Sequence, residues 1–135
     1  MPNKKILIVD DDPDVRLGMH VRLKASGYDT FFAADALACI TEARKHNPDL
    51  IILDLGLPAG DGFVVMERLR LGPALAVIPV IVVSARDVRA NKDRAIKAGA
   101  KAFLQKPVDN AELLAVIRQA LGEPALPALA EVYEL

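Results

Sequence analysis

Tryptophan is absent from this 135-residue chain and aromatic residues make up only 4% of it, so its core must be aliphatic. Cysteine is scarce too: Cys39 stands alone, which excludes an internal disulfide, and nothing requires an oxidising compartment. Neither sign of charge is in excess. A net charge of −1 and a pI near 6.1 give no global footprint for nucleic acid or membrane lipid. Long apolar runs are missing as well. MPNKKILIVDDD starts like a signal peptide, but its apolar run is four residues long and meets three acids. The longest uncharged stretch, Leu71 to Ala85, carries two prolines and falls short of the roughly 20 residues a bilayer needs. These absences point to a cytoplasmic protein with no direct contact to nucleic acid or membrane.

What is present suits a soluble globular protein: 53% hydrophobic and 26% charged residues, at a length that fits one domain. Short apolar runs recur at Ile6–Val9, Leu50–Leu53 and Pro79–Val83. They are continuous rather than alternating, as parallel strands covered on both faces require. Tyr28–Ala33 and Lys101–Gln105 supply a second and a fifth strand in chain order.

Helical patterns fill the gaps. Asp12 and Pro13 form a start signal, Val15, Met19 and Leu23 share one face, and Gly27 is the stop. Ala36, Cys39, Ile40 and Ala43 mark a second helix that ends before Asn47–Pro48. Val65, Met66 and Leu69 mark a third after Gly62, and Asp87 caps a fourth that runs towards Gly99. Asp109 with Glu112 resembles a capping box for a fifth, striped by Leu113, Val116, Ile117 and Ala120. Five strand–helix units in strict alternation predict a single α/β domain with a parallel sheet.

In such sheets ligands bind beyond the carboxyl ends of the strands. The first strand ends in Asp10-Asp11-Asp12, the third in Asp54 and the fourth in Ser84, and the fifth is followed by Lys106-Pro107. Carboxylates gathered at one edge repel one another unless a cation sits among them. An all-oxygen donor set favours Mg²⁺, whereas Cys39, His20 and His46 lack the spacing of a zinc site. A cation, an ammonium and a hydroxyl around one carboxylate suit phosphoryl transfer, which is a matter of positioning and charge neutralisation.

ILIVDDDPDVR, PDLIILDLGLPAGDGF, IPVIVVSAR and AGAKAFLQKPVDNAEL resemble the motifs of response regulator receiver domains, in order from about Lys4 to Leu121. The resemblance implies a flavodoxin-like (βα)5 fold with strand order 2-1-3-4-5. It implies that Asp54 is the phosphoacceptor, taking its phosphoryl group from the phosphohistidine of a histidine kinase or histidine phosphotransfer protein. It further implies a Mg²⁺ ion held by Asp11 directly, Asp10 through water, Asp54, and the Gly56 carbonyl. Lys106 would pair with the phosphoryl oxygens, with a cis peptide to Pro107. The Ser84 hydroxyl would move onto the new group, and Phe103 would turn inward behind it. Such a domain is a signalling switch rather than an enzyme. It catalyses only its own phosphorylation and dephosphorylation, and acts on a downstream effector domain or protein that the sequence does not reveal. Homodimerisation is common in the family, and the sequence does not decide it.

Each residue also has a plainer explanation. An aspartate at a strand end is usually a turn former or cap, and Asp12 is assigned to the cap. Cys39 packs as a small apolar residue, and His20 and His46 are expected in solvent. Between Arg86 and Lys106 stand seven basic residues against two acids, read as a solvated helix face. Gly56 and Arg86 flank the site where the family varies. Residues 1–121 are expected to form the receiver domain and 122–135, GEPALPALAEVYEL, a linker or tail, on a chain that is either a stand-alone receiver or the front of a longer regulator. The competing functional reading is a phosphorylation-independent interaction module on the same fold. A hydrolase with an aspartyl-phosphate intermediate is disfavoured, because Gly56 occupies the place of its second acid.

Overall fold

The computed structural model of the chain describes residues 2–58 and 61–124. Five strands, β1 (Lys5–Val9), β2 (Asp29–Ala33), β3 (Leu50–Leu53), β4 (Val80–Ser84) and β5 (Ala102–Gln105), form one sheet in the order β2-β1-β3-β4-β5, and every pair is parallel. The continuous apolar runs are the reason. Successive side chains of a strand point to opposite faces, and here both faces are covered.

Ile6 and Ile8 of β1 point to one face, with Leu50 and Ile52 of β3 and Ile81 and Val83 of β4. Helices α1 (Pro13–Ala25) and α6 (Asn110–Leu121) cover that face through Met19, Leu23, Leu113 and Ile117. Leu7, Val9, Ile51, Leu53, Val80 and Val82 point the other way, under α2 (Ala36–His46), α3 (Gly62–Leu71) and α5 (Val88–Lys97). The sheet thus separates two aliphatic cores. Among the described residues no helix is long and apolar enough to cross a membrane.

Local signals set the helix limits. Asp12, Asp35, Asp61, Asp87 and Asp109 each accept a main-chain amide from the first turn of the helix that follows. Gly27 leaves α1 at φ +90°, a conformation that L side chains rarely adopt. One element departs from the strict alternation: a four-residue helix, α4 (Pro73–Ala76), lies between α3 and β4 and buries Leu75. It is too short to show a helical period, and Pro73 at its start reads equally well as a turn.

The histidines also differ from expectation. His46 stacks on Phe31 with ring centroids 3.8 Å apart and pairs with Glu42 at 3.1 Å. His20 lies 2.6 Å from the Thr30 hydroxyl and meets Phe32 edge-on. Both sit over the edge strand β2, whose partly exposed aromatic rings offer them a surface that local polarity does not reveal. Cys39 is fully buried, and burial pushes its thiol up to about 12. The expected linker or tail begins at Gly122, and its residues 125–135 lie outside the described residues.

Candidate functional site

Strand register brings the acids together. Val9 of β1 stands opposite Leu53 of β3, so the next residues, Asp10 and Asp54, leave neighbouring strands side by side. The Asp54 amide donates to the Val9 carbonyl at 2.9 Å, extending the ladder one residue past the strand. On the other flank the Lys106 amide donates to the Ser84 carbonyl at 2.9 Å. Asp10, Asp11, Asp54, Ser84 and Lys106 therefore all lie along the carboxyl edge of the sheet.

Three carboxylates converge there. Among the described residues, Asp10, Asp11 and Asp54 each offer an oxygen, and these oxygens lie within 4.8 Å of one another. Asp10 and Asp54 are buried, at 3% and 8% exposure, whereas Asp11 is open to solvent. The Lys106 ammonium sits between the two buried acids, 2.6 Å from Asp10 Oδ2 and 3.5 Å from Asp54 Oδ2. Burial is the largest single influence on Lys106 and disfavours its charge. The hydrogen bond that Lys106 donates to Asp10 and the charges of Asp54 and Asp10 together outweigh it and hold the ammonium above the ordinary lysine range. Lys106 is thus a permanent cation at neutral pH.

The remaining bonds fix the acids unequally. Asp10 Oδ1 accepts the Asp12 amide at 2.9 Å, so both oxygens of Asp10 are engaged, and Arg16 Nη1 donates to the Asp10 carbonyl at 2.6 Å. Among the described residues Asp54 Oδ1 accepts only the Gly56 amide, at 3.2 Å, and Asp54 Oδ2 meets Lys106 at the longer distance. Asp11 is left exposed at the rim. Of the two buried carboxylates, Asp54 is held less tightly.

Glycine serves two purposes in the following loop. A Cβ on Gly56 would meet only Asp54 Oδ2, at 4.0 Å, so sterics permit a side chain there and Gly56 simply leaves the carboxylate uncovered. Gly62 is different. A Cβ there would come within 2.7 Å of the Asp54 carbonyl oxygen and 2.8 Å of Leu55 Cα, so only glycine lets α3 start this close to the acid.

Ser84 is 1% exposed, and its hydroxyl accepts the Arg86 amide at 3.1 Å. The Lys106–Pro107 peptide is cis. Phe103 stands opposite Val82, and the alternation of β5 sends its ring into the core beneath α5, where it is only 8% exposed. In this structure Phe103 is therefore a buried residue.

Two contributors have no counterpart in the reading of the sequence. Arg16 supports the Asp10 backbone from the first turns of α1, and Asp61 caps α3 while pairing with Arg86. An aspartate just ahead of a glycine-started helix is a cap signal. The Arg86 partnership leaves no mark in the sequence.

Comparison with known proteins is consistent across sequence and structure. The family model for the response regulator receiver domain matches residues 6–118. The DNA-binding dual master transcriptional regulator RpaA of Synechocystis sp. is 40% identical over 117 residues, which are 87% of this chain and 48% of RpaA. The chain spans about half the length of the curated relatives RpaA and KdpE. A CheY-like receiver domain protein from Methanospirillum hungatei superposes with a TM-score of 0.82 at 28% identity, covering 89% of this chain and 94% of that one. The receiver domain of the sensor histidine kinase PA1611 from Pseudomonas aeruginosa also gives 0.82, at 26% identity and 90% and 99% coverage. That structure holds a magnesium ion coordinated in its active site cleft.

Proposed function

Since this chain belongs to the response regulator receiver domain family, a signalling domain switched by phosphorylation in two-component systems, we propose that Asp54 is the residue that takes the phosphoryl group. The observation that carries this assignment is the placement of Asp54: buried, beside the Lys106 ammonium, yet with one main-chain hydrogen bond to its carboxylate. Asp10 has both oxygens engaged and Asp11 lies exposed at the rim, so neither is as well placed to attack.

In this proposal an Asp54 oxygen attacks the phosphorus of a phosphohistidine. The new O–P bond forms as the P–N bond breaks, and the electron pair leaves with the imidazole of the donor, a histidine kinase or histidine phosphotransfer protein. Lys106 faces the added negative charge and stabilises it without a proton transfer. Ser84 donates its hydroxyl to a phosphoryl oxygen after leaving the Arg86 amide, and Phe103 keeps the space beneath α5 filled.

The donor chemistry fits Mg²⁺, which takes oxygen ligands and retains water. Asp11, Asp54 and the Gly56 carbonyl would hold it directly, and Asp10, whose oxygens already have partners, through water. When bound, the ion supplies charge neutralisation for the phosphoryl oxygens. Water attack on the acyl phosphate would return Asp54 to its carboxylate and release inorganic phosphate, the only turnover this domain performs. Residues 1–121 are the receiver in this proposal, and 122–135 link it to an effector or end as a tail.

Intact-mass spectrometry after incubation with a small phosphodonor tests the assignment. One phosphoryl adduct is expected on wild type with Mg²⁺, and none on Asp54→Asn or without the metal. Lack of adduct on a folded wild type would favour the phosphorylation-independent interaction module.

A further inference from the structure

The loop between β4 and α5 is fastened to the start of α3 by one ion pair. Arg86 Nη1 lies 3.1 Å from Asp61 Oδ2, and both side chains are 38% exposed. Asp61 is itself anchored. Its other oxygen accepts the Phe63 amide at 2.9 Å as the cap of α3, and the next residue is Gly62, pressed against the Asp54 carbonyl. The Gly62 amide donates to the Leu55 carbonyl at 3.0 Å, which fixes Asp61 relative to the strand end that carries Asp54. Arg86 has a second tie, because its amide donates to the Ser84 hydroxyl at 3.1 Å. One residue is therefore bound through its main chain to Ser84 and through its side chain to Asp61.

Exposed ion pairs hold weakly. A phosphoryl group on Asp54 would bring more negative charge than the Asp61 carboxylate, with oxygens matched to the fork of a guanidinium. Departure of the Ser84 hydroxyl would release the Arg86 amide at the same moment. Resting on Asp54 as the phosphoryl site, we propose that Asp61 is a positioning residue for it: Asp61 holds the Arg86 guanidinium aside and yields it to the phosphoryl oxygens once Asp54 is modified. The free energy of leaving Asp61 is then subtracted from the stability of the modified form.

The test is the affinity of the chain for beryllofluoride, a phosphoryl mimic, in the presence of Mg²⁺, measured by calorimetry on a double-mutant cycle. Asn caps helices as well as Asp, so Asp61→Asn removes the charge and keeps the cap. Asp61→Asn is expected to bind the mimic about two- to fivefold more tightly, the factor an exposed ion pair is worth. Arg86→Ala is expected to bind it more weakly, and adding Asp61→Asn to Arg86→Ala is expected to change nothing further. A gain that persists without Arg86 would overturn the proposal, since Asp61 would then act only as a nearby negative charge. An unchanged affinity in Asp61→Asn would overturn it too. A folded wild type that binds no mimic at all would instead sink the phosphoacceptor assignment, and the role of Asp61 with it.

Discussion

Helices α5 and α6 follow neighbouring strands, have similar lengths and both start on an aspartate cap, yet they are held by opposite means. α6 buries Leu113 and Ile117 completely and rests Leu114, Val116, Ala120 and Leu121 on the same core. Its far end is pinned by the Tyr28 hydroxyl, which donates to Glu123 at 2.8 Å. α5 buries a single alanine, Ala95, and leaves Ile96 42% exposed. It is fastened by charge: Arg94 lies over the Phe63 ring, 3.8 Å from its centroid, and Arg86 pairs with Asp61 just before the helix begins. Apolar burial contributes about 1.5–3 kcal/mol per large side chain, whereas exposed charge contacts contribute about 1 kcal/mol or less. By this measure α6 is anchored to the sheet more firmly than α5.

That contrast predicts unequal losses. Leu113→Ala should destabilise the chain most, by about 2–5 kcal/mol in denaturant unfolding, because it empties a fully buried position. A loss below about 1 kcal/mol would mean that α6 is not the anchor.

Tyr28→Phe should cost about 1 kcal/mol at neutral pH through the hydrogen bond to Glu123. Its effect should also depend on pH. Burial, then the Glu123 hydrogen bond and charge, raise the Tyr28 phenol to about 12. Folding therefore favours the protonated phenol. The contribution is complete below the ordinary tyrosine value of about 10 and is lost as pH rises towards 12. Unfolding curves at stepped alkaline pH should fall less steeply for Tyr28→Phe than for wild type, and parallel curves would rule this linkage out.

The smallest effect belongs to α5. Arg94→Ala should cost no more than about 1 kcal/mol. Amide hydrogen exchange offers a sharper readout, since α5 amides should exchange well before those of α6 and faster still in Arg94→Ala. Equal protection of the two helices in wild type would erase the comparison.

The fold and most of the site were legible in the sequence because both are written locally. Apolar runs marked the strands, Asp12, Asp87 and Asp109 marked three helix starts, and the polar residues fell one step beyond the runs, so parallel register brought Asp10, Asp54, Ser84 and Lys106 to one edge. Other features were not legible. α4 is shorter than two helical turns and shows no period. The Asp61–Arg86 pair joins side chains far apart along the chain, and many acids and bases could have formed it. Phe103 was placed on the correct strand, but its resting orientation depends on what the face beneath α5 leaves empty, which no local pattern records.

The two cores on either side of the sheet share no side chain. For protein engineering this amounts to a division of labour. Substitutions beneath α2, α3 and α5 are expected to repack one core while α1 and α6 continue to fill the other, so one side of the sheet can be redesigned without rewriting the other.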